Sequence, residues 1–511
     1  MAAFRKHIKV GDMKLFDTEM IYARAMALQS SHRKIDTNNL MSHELSPKPT
    51  SMFDDSGHMK EAKTKSTLKN ALKVEVSSRH ADVTASFLDG CAVMWVVSWP
   101  TGGGTVQDFL DNFRRHIQVH LQTSDVYLIF DRYNEGSIKE STRSDWDKGA
   151  SRVYTLRPTA RLPPQKVLLT VSSNKKQLID LIVDDLVAHK NVLTASLVVT
   201  GNDPVPVQIS RGVVTRREDM SITHEEADTM IIRQIAYVGA SEVLVVADDT
   251  DVFVLLCHFV FEGDITGHVM MVSPVKGRSF IDINASVEKN RDVMGNLLAA
   301  HGVTGCDTVA TYYGIGKGVA LKVLRSNVHS LSNVGDINCS VEDAVQQLTR
   351  FILSCYGHPE CESMAEARQK IWSTKVSRSI GGAPKLQTLP PTNETFRENV
   401  ARGHLQVAIW RQAIQPNPPL MDPLNYGWSK DEGSSSLYPT IAAENVAFAP
   451  EELLKVIKCS CDSAVPCKTK RCGCYLAGMA CTSFCKCEGG HGCFNQKTRE
   501  CLQAETEDEN M

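Results

Sequence analysis

The sequence predicts an α/β protein, a parallel sheet with helices on both faces, followed by a small cysteine-rich C-terminal module. Three observations predict it. Short runs rich in Val, Ile and Leu alternate with stretches of helical period from about Val83 to Leu324. Acidic residues stand directly after those runs. Nine cysteines fall within 35 residues near the end of the chain.

In chain order, the apolar runs Ala92–Val97, Val126–Phe130, Leu193–Thr200, Val243–Ala247 and Val269–Val272 read as buried strands. Between them, Val106–Leu121, Lys175–Leu186 and Glu225–Ile235 carry helical spacing. Strands that alternate with helices build a parallel sheet covered on both faces. This α/β domain is assigned to residues 81–330. Residues 1–80 are polar, with loose helical spacing at Met20–Leu28 and Leu68–Leu72, and read as a helical or partly ordered preface. Residues 331–380 form a helical extension that includes Val341–Ser354. Residues 381–450 are proline-rich and read as a packed extension and linker. The cysteine module occupies 455–499, and an acidic tail follows at 500–511.

A chain of 511 residues is expected to divide into two or three units. Its 42% hydrophobic and 23% charged content is ordinary for a globular protein. The net charge of −3 conceals a local asymmetry: Lys455–Arg499 holds eight Lys/Arg against two Asp/Glu, the footprint of a nucleic-acid contact. The most apolar stretch, Val243–Phe261, is broken by Asp248, Asp249 and Asp251, which excludes a membrane span. The N-terminus has no apolar signal region, so a cytosolic or nuclear location is expected, and with a DNA partner the nucleus. In a reducing compartment a cysteine cluster binds metal more readily than it forms disulfides.

The clustered cysteines are Cys459, Cys461, Cys467, Cys472, Cys474, Cys481, Cys485, Cys487 and Cys493. The segment has almost no aliphatic core, so metal must fold it. Structural zinc takes four ligands. Six terminal cysteines and three bridging ones supply the twelve positions that three zinc ions need. Lys468, Lys470, Arg471 and Lys486 lie between the ligands, which places DNA binding ahead of a cluster that merely staples the chain or binds protein. The spacing resembles the CXC module of tesmin-type and related chromatin proteins. That resemblance implies a three-zinc cluster that binds DNA largely through the minor groove. Here Arg471 precedes the second C-x-C and Tyr475 follows it, and with Lys468 and Lys470 both are candidate nucleic-acid contacts. One module is present where tesmin-type proteins usually carry two.

A second constellation is acidic. Asp89 follows Leu88, Asp131 follows Phe130, and Glu226 and Asp228 open a helix. Asp249 and Asp251 follow a strand-like run, and Asp307 stands in Gly305-Cys306-Asp307. Hard cations such as magnesium prefer oxygen ligands, and two of them can flank one phosphodiester. Beyond Asp307, Gly314, Gly316, Lys317 and Gly318 stand at a helix start, where backbone N–H groups can meet a phosphate. Any one of these acids alone has a plain structural reading. Glu226 fits a capping box opened by Thr223, and Asp249 fits a turn after a strand.

The order of these motifs resembles the PIN-like nuclease fold of the flap endonuclease family, over roughly Phe87 to Leu324. The resemblance implies that Asp89, Asp131, Glu226, Asp228, Asp249, Asp251 and Asp307 hold two magnesium or manganese ions. It implies further that Lys139 and Arg143 orient the scissile phosphate, and that Gly314–Gly318 grips duplex backbone. Arg132 replaces the family's glycine after the second aspartate. The segment from Asn134 to Thr223 does not match the family's helical arch, so flap specificity is not carried over. A nuclease-like domain joined to a zinc module also resembles proteins of mobile elements. The expected function is a metal-dependent DNA nuclease targeted by its zinc module, with RNA left open as a substrate. The alternative is a non-catalytic chromatin protein that keeps the scaffold. His224, His301 and the six cysteines before the module show no metal spacing. Nucleophile-elbow, Walker and dinucleotide-binding motifs are absent, and no small-molecule substrate is indicated.

Overall fold

The structure is a computed structural model that describes residues 9–10, 13–14, 37–139 except 47, 55, 79–81 and 135, 152–378 except 194 and 327, 385–441 except 431, 432, 434 and 435, 449–450, and 459–499 except 463, 464, 469, 470, 477–480, 482–484, 489–491 and 497. Met20–Leu28, Arg143, Lys470 and His491 lie outside the described residues. The chain divides into two compact units. One comprises Met1–Gly57, Glu360–Phe396 and Ile441–Met511, and the other His58–Pro359 and Arg397–Thr440.

The larger unit is built on a nine-stranded sheet. Its strands are β1 (Val74–Val76), β2 (Ala85–Asp89), β3 (Asp125–Ile129), β4 (Leu197–Thr200), β5 (Val207–Ser210), β6 (Val213–Arg216), β7 (Glu242–Val246), β8 (His268–Val272) and β9 (Phe280–Asp282). The spatial order is β1-β9-β8-β7-β2-β3-β4-β5-β6. The five central strands, β8 to β4 in that order, run parallel, and the outer strands pair antiparallel. The centre is buried on both faces, which is why β4 and most of β2 and β7 are apolar without alternation. From β2 the chain moves outward to β3 and β4, then returns to the other side of β2 as β7. Such a reversal opens a crevice at the carboxyl ends of the strands. Register places Asp89 opposite Ile129, and Leu88 opposite Val246, at the rim of that crevice.

The helices of this unit are α1 (Ser66–Leu72), α2 (Gly90–Val96), α3 (Val106–Leu121), α4 (Gln165–Thr170), α5 (Ser172–Ala188), α6 (Ala227–Val238), α7 (Thr250–Glu262), α8 (Ile283–Lys289), α9 (Arg291–Val303), α10 (Lys317–Leu324), α11 (Val341–Cys355) and α12 (Asn393–Arg411), the last continuing in from the smaller unit. Helix α3 begins at a capping box of Thr105 and Asp108 and buries Val106, Phe109, Leu110, Phe113, Ile117 and Leu121, one face at helical period. Helix α7 is buried almost all round from Thr250 to Phe259 and ends at Gly263, whose φ of 87° suits a left-handed cap.

Three expectations are corrected. Ala92–Val97 is not a strand. Its residues 92–96 belong to α2, where Gly90, Val93 and Met94 are buried and Val97 caps the end, a helical spacing that leaves Trp95 exposed. The preceding ASFLD is the strand. Residues before 81 supply α1 and β1, so part of the supposed preface folds with the sheet. The proline-rich region contains α12, whose Val400, Leu405, Val407 and Trp410 are fully buried.

In the smaller unit, Thr37–Met41 packs with the helix Met364–Arg378. The buried Arg368 guanidinium joins them, donating to the carbonyls of Met41 at 2.9 Å, His43 at 3.0 Å and Pro390. Glu44 lies 3.6 Å from that guanidinium and accepts from Thr392 N and Thr395 Oγ1, each at 2.6 Å. The cysteine module belongs to this unit.

Candidate functional site

Asp89 ends β2, Asp131 stands two residues past β3, and Asp249 caps α7 just after β7. These three therefore come from adjacent parallel strands at the point where strand order reverses. Glu226 and Asp228 open α6, Asp251 lies in the first turn of α7, and Asp307 follows α9. The seven carboxylates meet on this rim, close enough that each of them perturbs, or is perturbed by, at least one other.

Several acids also do the structural work of the plain reading. Asp89 Oδ1 accepts from Ala92 N at 3.0 Å and caps α2. Asp249 Oδ1 accepts from Asp251 N at 2.9 Å and caps α7. The capping box expected at Thr223 does not form: Glu226 is the cap residue of α6 and makes no side-chain cap bond. Asp131 reaches over instead, its Oδ1 accepting from Ala227 N at 2.8 Å. The backbone is shaped to permit this. A Cβ at Gly90 would stand 2.5 Å from the Phe130 ring, so only glycine lets Asp89 and Asp131 sit side by side. Gly305, at φ 113°, turns the chain into Cys306-Asp307.

Electrostatics divide the cluster in two. Around Asp89, Asp131, Asp228 and Asp249, no Lys or Arg among the described residues stands at ion-pair distance. Burial and then the neighbouring Asp131 push Asp89 up to about 7. Burial and then Asp251 push Asp249 up to about 6, and burial with Asp249 beside it holds Asp228 well above the carboxylate range. The other half carries its own cations. Lys65 Nζ pairs with Asp307 Oδ1 and lies 3.4 Å from Asp251 Oδ2. His301 Nε2 lies 2.8 Å from Asp251 Oδ1. Lys139 Nζ stands 3.4 Å from Asp307 Oδ2 and 3.1 Å from Glu226 Oε2. Burial opposes ionisation of Asp251 and Asp307, but Lys65 with His301, and Lys139 with Lys65, outweigh it and hold both low.

These residues fit hard divalent cations. Among the described residues, seven carboxylates face two lysines, and four of the acids have no Lys or Arg at ion-pair distance. Oxygen-only donor sets of this kind suit magnesium or manganese.

The consequence for stability has a definite sign. Asp89, Asp228 and Asp249 bind protons more tightly folded than unfolded, so in metal-free protein they lower stability as pH rises from the ordinary carboxyl range through about 7. Asp251 and Asp307 act oppositely: their pairing is lost only as pH falls below the ordinary carboxyl range. Saturating manganese should therefore raise the melting temperature more at pH 8 than at pH 5.5. A calorimetric shift as large at the lower pH would contradict this electrostatic account.

Sequence reasoning missed four positioning groups. Arg132, which stands where the family resemblance has glycine, is buried and donates to four carbonyls: Gly201 at 3.1 Å, Ile222 at 2.6 Å, His224 at 2.8 Å and Asp203 at 3.1 Å. Its own N–H donates to Glu225 O at 2.8 Å, which ties the end of β3 to the start of α6 and so sets Asp131 against Glu226. Arg132→Ala should lower unfolding free energy by about 3–5 kcal/mol, because it strands several buried carbonyls at once. Urea unfolding checks this, and a loss below about 1 kcal/mol would show that the guanidinium is dispensable. His301, fully buried and stacked on Trp410 with centroids 5.7 Å apart, orients Asp251. Lys65 and Lys69 precede every motif, and Lys69 pairs with Asp248 at 3.0 Å. The only signal for these groups is three-dimensional.

Lys317 corrects an expectation. It is buried, and its Nζ donates to His301 O, to Thr304 Oγ1 at 3.1 Å and to Gly305 O at 2.7 Å, so it cannot reach a phosphate. It fastens α10 beneath the Asp307 turn instead. Gly314, Gly316 and Gly318 are exposed, and added Cβ atoms at Gly314 and Gly316 would meet nothing within 4 Å. The backbone there is open to a ligand.

In the cysteine module, seven of the nine thiols are buried and the other two, Cys461 and Cys487, are partly buried. Four overlapping groups of four have sulfurs within 4.8 Å of one another: Cys459-461-467-472, Cys459-472-474-481, Cys459-481-485-487 and Cys467-481-487-493. Cys459 and Cys481 recur in three of these, which puts them at the centre of the sulfur cluster. Two residues beyond the ligands support Cys481. Asn495 Nδ2 donates to its sulfur at 3.3 Å, and Thr498 Oγ1 accepts from its N–H at 2.8 Å. Lys468 and Arg471 are exposed, whereas Tyr475 packs against the thiols. Lys486 pairs with Asp462 at 2.5 Å on the surface.

No family model matches the sequence, and no curated protein matches it. Solved structures align over much of the chain. The catalytic core of Rad2 in complex with a DNA substrate is 11% identical, with a TM-score of 0.33, over 70% of this chain and 99% of that one. The bacteriophage T5 D15 flap endonuclease in complex with DNA and metal ions is 11% identical, with a TM-score of 0.34, over 65% and 90%. Likeness at this level adds nothing to what the site itself says.

Proposed function

We propose that the larger unit is a magnesium- or manganese-dependent nuclease that hydrolyses phosphodiester bonds in DNA. The observation that carries it is the convergence of Asp89, Asp131, Glu226, Asp228, Asp249, Asp251 and Asp307 on one rim of a parallel sheet, with more carboxylates than the local lysines can neutralise. The same ordered acids carry the resemblance to PIN-like flap endonucleases.

Asp89, Asp131, Glu226, Asp228, Asp249, Asp251 and Asp307 would together hold two such ions. Bound there, the metals supply an activated water and neutralise charge on the phosphate. Arg132 and Asp131 keep the two sides of the site in register, and His301 fixes Asp251 through the buried Nε2 contact. Lys139, which stands between Glu226 and Asp307, would meet a phosphate oxygen. Arg143 would share that role. The exposed Gly314, Gly316 and Gly318 backbone would receive the duplex backbone away from the reacting bond.

The cysteine module would carry three zinc ions as a CXC-type DNA-binding element, with Lys468, Lys470 and Arg471 on phosphates or in the minor groove. A nuclear location and a mobile-element origin accord with that pairing of modules. Purified protein should cut DNA when magnesium or manganese is present and stop when it is chelated, with RNA as the parallel substrate. DNA affinity should fall steeply with salt. A chain that binds DNA but cuts neither polymer with either metal would overturn the enzyme.

A second reading, DNA binding without cleavage, draws on one observation: Lys65 already occupies the Asp251–Asp307 half of the site.

A further inference from the structure

The geometry points to Lys65 as an internal counter-cation that fills the Asp251–Asp307 half of the acidic site and must be displaced before a second divalent ion can enter. The inference rests on the metal-centre reading above and deepens it. Lys65 precedes every motif that carries the nuclease resemblance, and it leads directly into α1, which packs against α7 and α10. Those helices place its ammonium over the site from outside the sheet.

The oxygen inventory makes the case. Asp251 Oδ1 faces His301 Nε2 at 2.8 Å, while Asp251 Oδ2 faces Lys65 at 3.4 Å. Asp307 Oδ1 is bonded to Lys65, while Asp307 Oδ2 faces Lys139 at 3.4 Å. Lys65 thus holds one oxygen of each aspartate, Asp251 Oδ2 and Asp307 Oδ1, both of which an incoming cation would need. His301 contributes a positioning bond to Asp251 that is compatible with metal, since an acid that ligates through one oxygen commonly accepts a second-layer bond on the other. Lys65 cannot share in the same way. Its single charge sits where a doubly charged ion would have to sit, and like charges at that spacing repel. Among the described residues, no Lys or Arg stands at ion-pair distance in the half lined by Asp89, Asp131, Asp228 and Asp249. Metal should therefore enter in order: the first ion in the unplugged half, the second only as Lys65 leaves. The side chain is about one-fifth exposed, so an outward path exists.

Manganese binding to the full-length protein, read by the paramagnetic resonance signal of free Mn²⁺ at fixed pH, tests this. The parent should bind one ion tightly and a second weakly. Lys65→Met should tighten the second by about tenfold, the effect of removing one competing charge contact. Lys65→Arg should restore the parent's weak second site. Equal binding by parent and Lys65→Met, or weaker second-site binding in the variant, overturns the counter-cation while leaving the metal centre standing. Absence of binding by both proteins overturns the metal centre and the inference together. Binding by the variant alone supports both. A second measurement uses the parent only, should Lys65→Met fold poorly. Manganese should speed acylation of Lys65 by an N-hydroxysuccinimide ester, read by mass spectrometry, because the ammonium leaves its carboxylates. Unchanged or slower labelling of Lys65 overturns the displacement.

Discussion

Replacement of Asp249 and Asp251 by alanine should reduce metal-dependent DNA cleavage by about a thousandfold or more, the scale of losing the charge that holds a catalytic ion. Both residues sit at the N-terminus of α7, and Asp251 is 2% exposed. Asp249 is the member common to both halves of the acidic cluster: it perturbs Asp89 on one side and Asp228 on the other, and is itself perturbed by Asp251. Removing Asp251 also strands Lys65 and His301, so the double variant risks a folding defect. Asp249→Asn separates the two effects. Asparagine caps a helix as well as aspartate does. Without metal near neutral pH, that variant should melt no lower than the parent, because a raised-pKa buried carboxylate is gone, and it should lose cleavage. Cleavage at the parental rate by Asp249→Asn would remove Asp249 from the chemistry.

Zinc removal should have the second large effect. Among the described residues, the module's interior consists of thiols with Tyr475 laid against them, so metal supplies most of what holds it together. Structural zinc in small modules contributes about 10–16 kcal/mol of apparent folding free energy. A strong chelator should therefore unfold the module, open Lys468 and Arg471 to trypsin, and abolish its share of DNA binding. The positions should not be equivalent. Cys481 belongs to three of the sulfur groups and is held by Asn495 and Thr498, whereas Cys461 belongs to one. Cys481→Ser should release more zinc per chain than Cys461→Ser, measured by a colorimetric chelator. Equal release would argue against bridging thiolates.

The fold was legible where burial imposes a pattern. Val106–Leu121 has one apolar face and a capping box, and its predicted limits match the helix. The buried central strands announce themselves as unbroken apolar runs, because both faces of the sheet are covered. The same feature misled at Ala92–Val97, where β-branched residues suggest a strand. Asp89 caps that segment and Gly90 brings it against Phe130, so it continues as a helix. Helix α12 was hidden because its buried face mixes apolar residues with Asn399, Arg402, His404 and Gln406, which blurs the periodicity. Strand topology places the seven acids together, and their position after apolar runs was a usable sign of that. Lys65, Arg132 and His301 left no such sign. Lys65 meets Asp307 across 242 positions, and Arg132 resembled a loss of the expected glycine when it is in fact a four-carbonyl clasp. Lys317 shows the converse, since a basic residue in a glycine-rich loop is spent on the protein's own carbonyls.

Anomalous diffraction from manganese-soaked crystals addresses the site most directly. Two manganese peaks should appear on the rim beyond β7, β2 and β3, ligated from among Asp89, Asp131, Glu226, Asp228, Asp249, Asp251 and Asp307. Peaks only at other surfaces, or an acidic rim that stays metal-free at saturating manganese, would contradict a hard-cation centre in this protein.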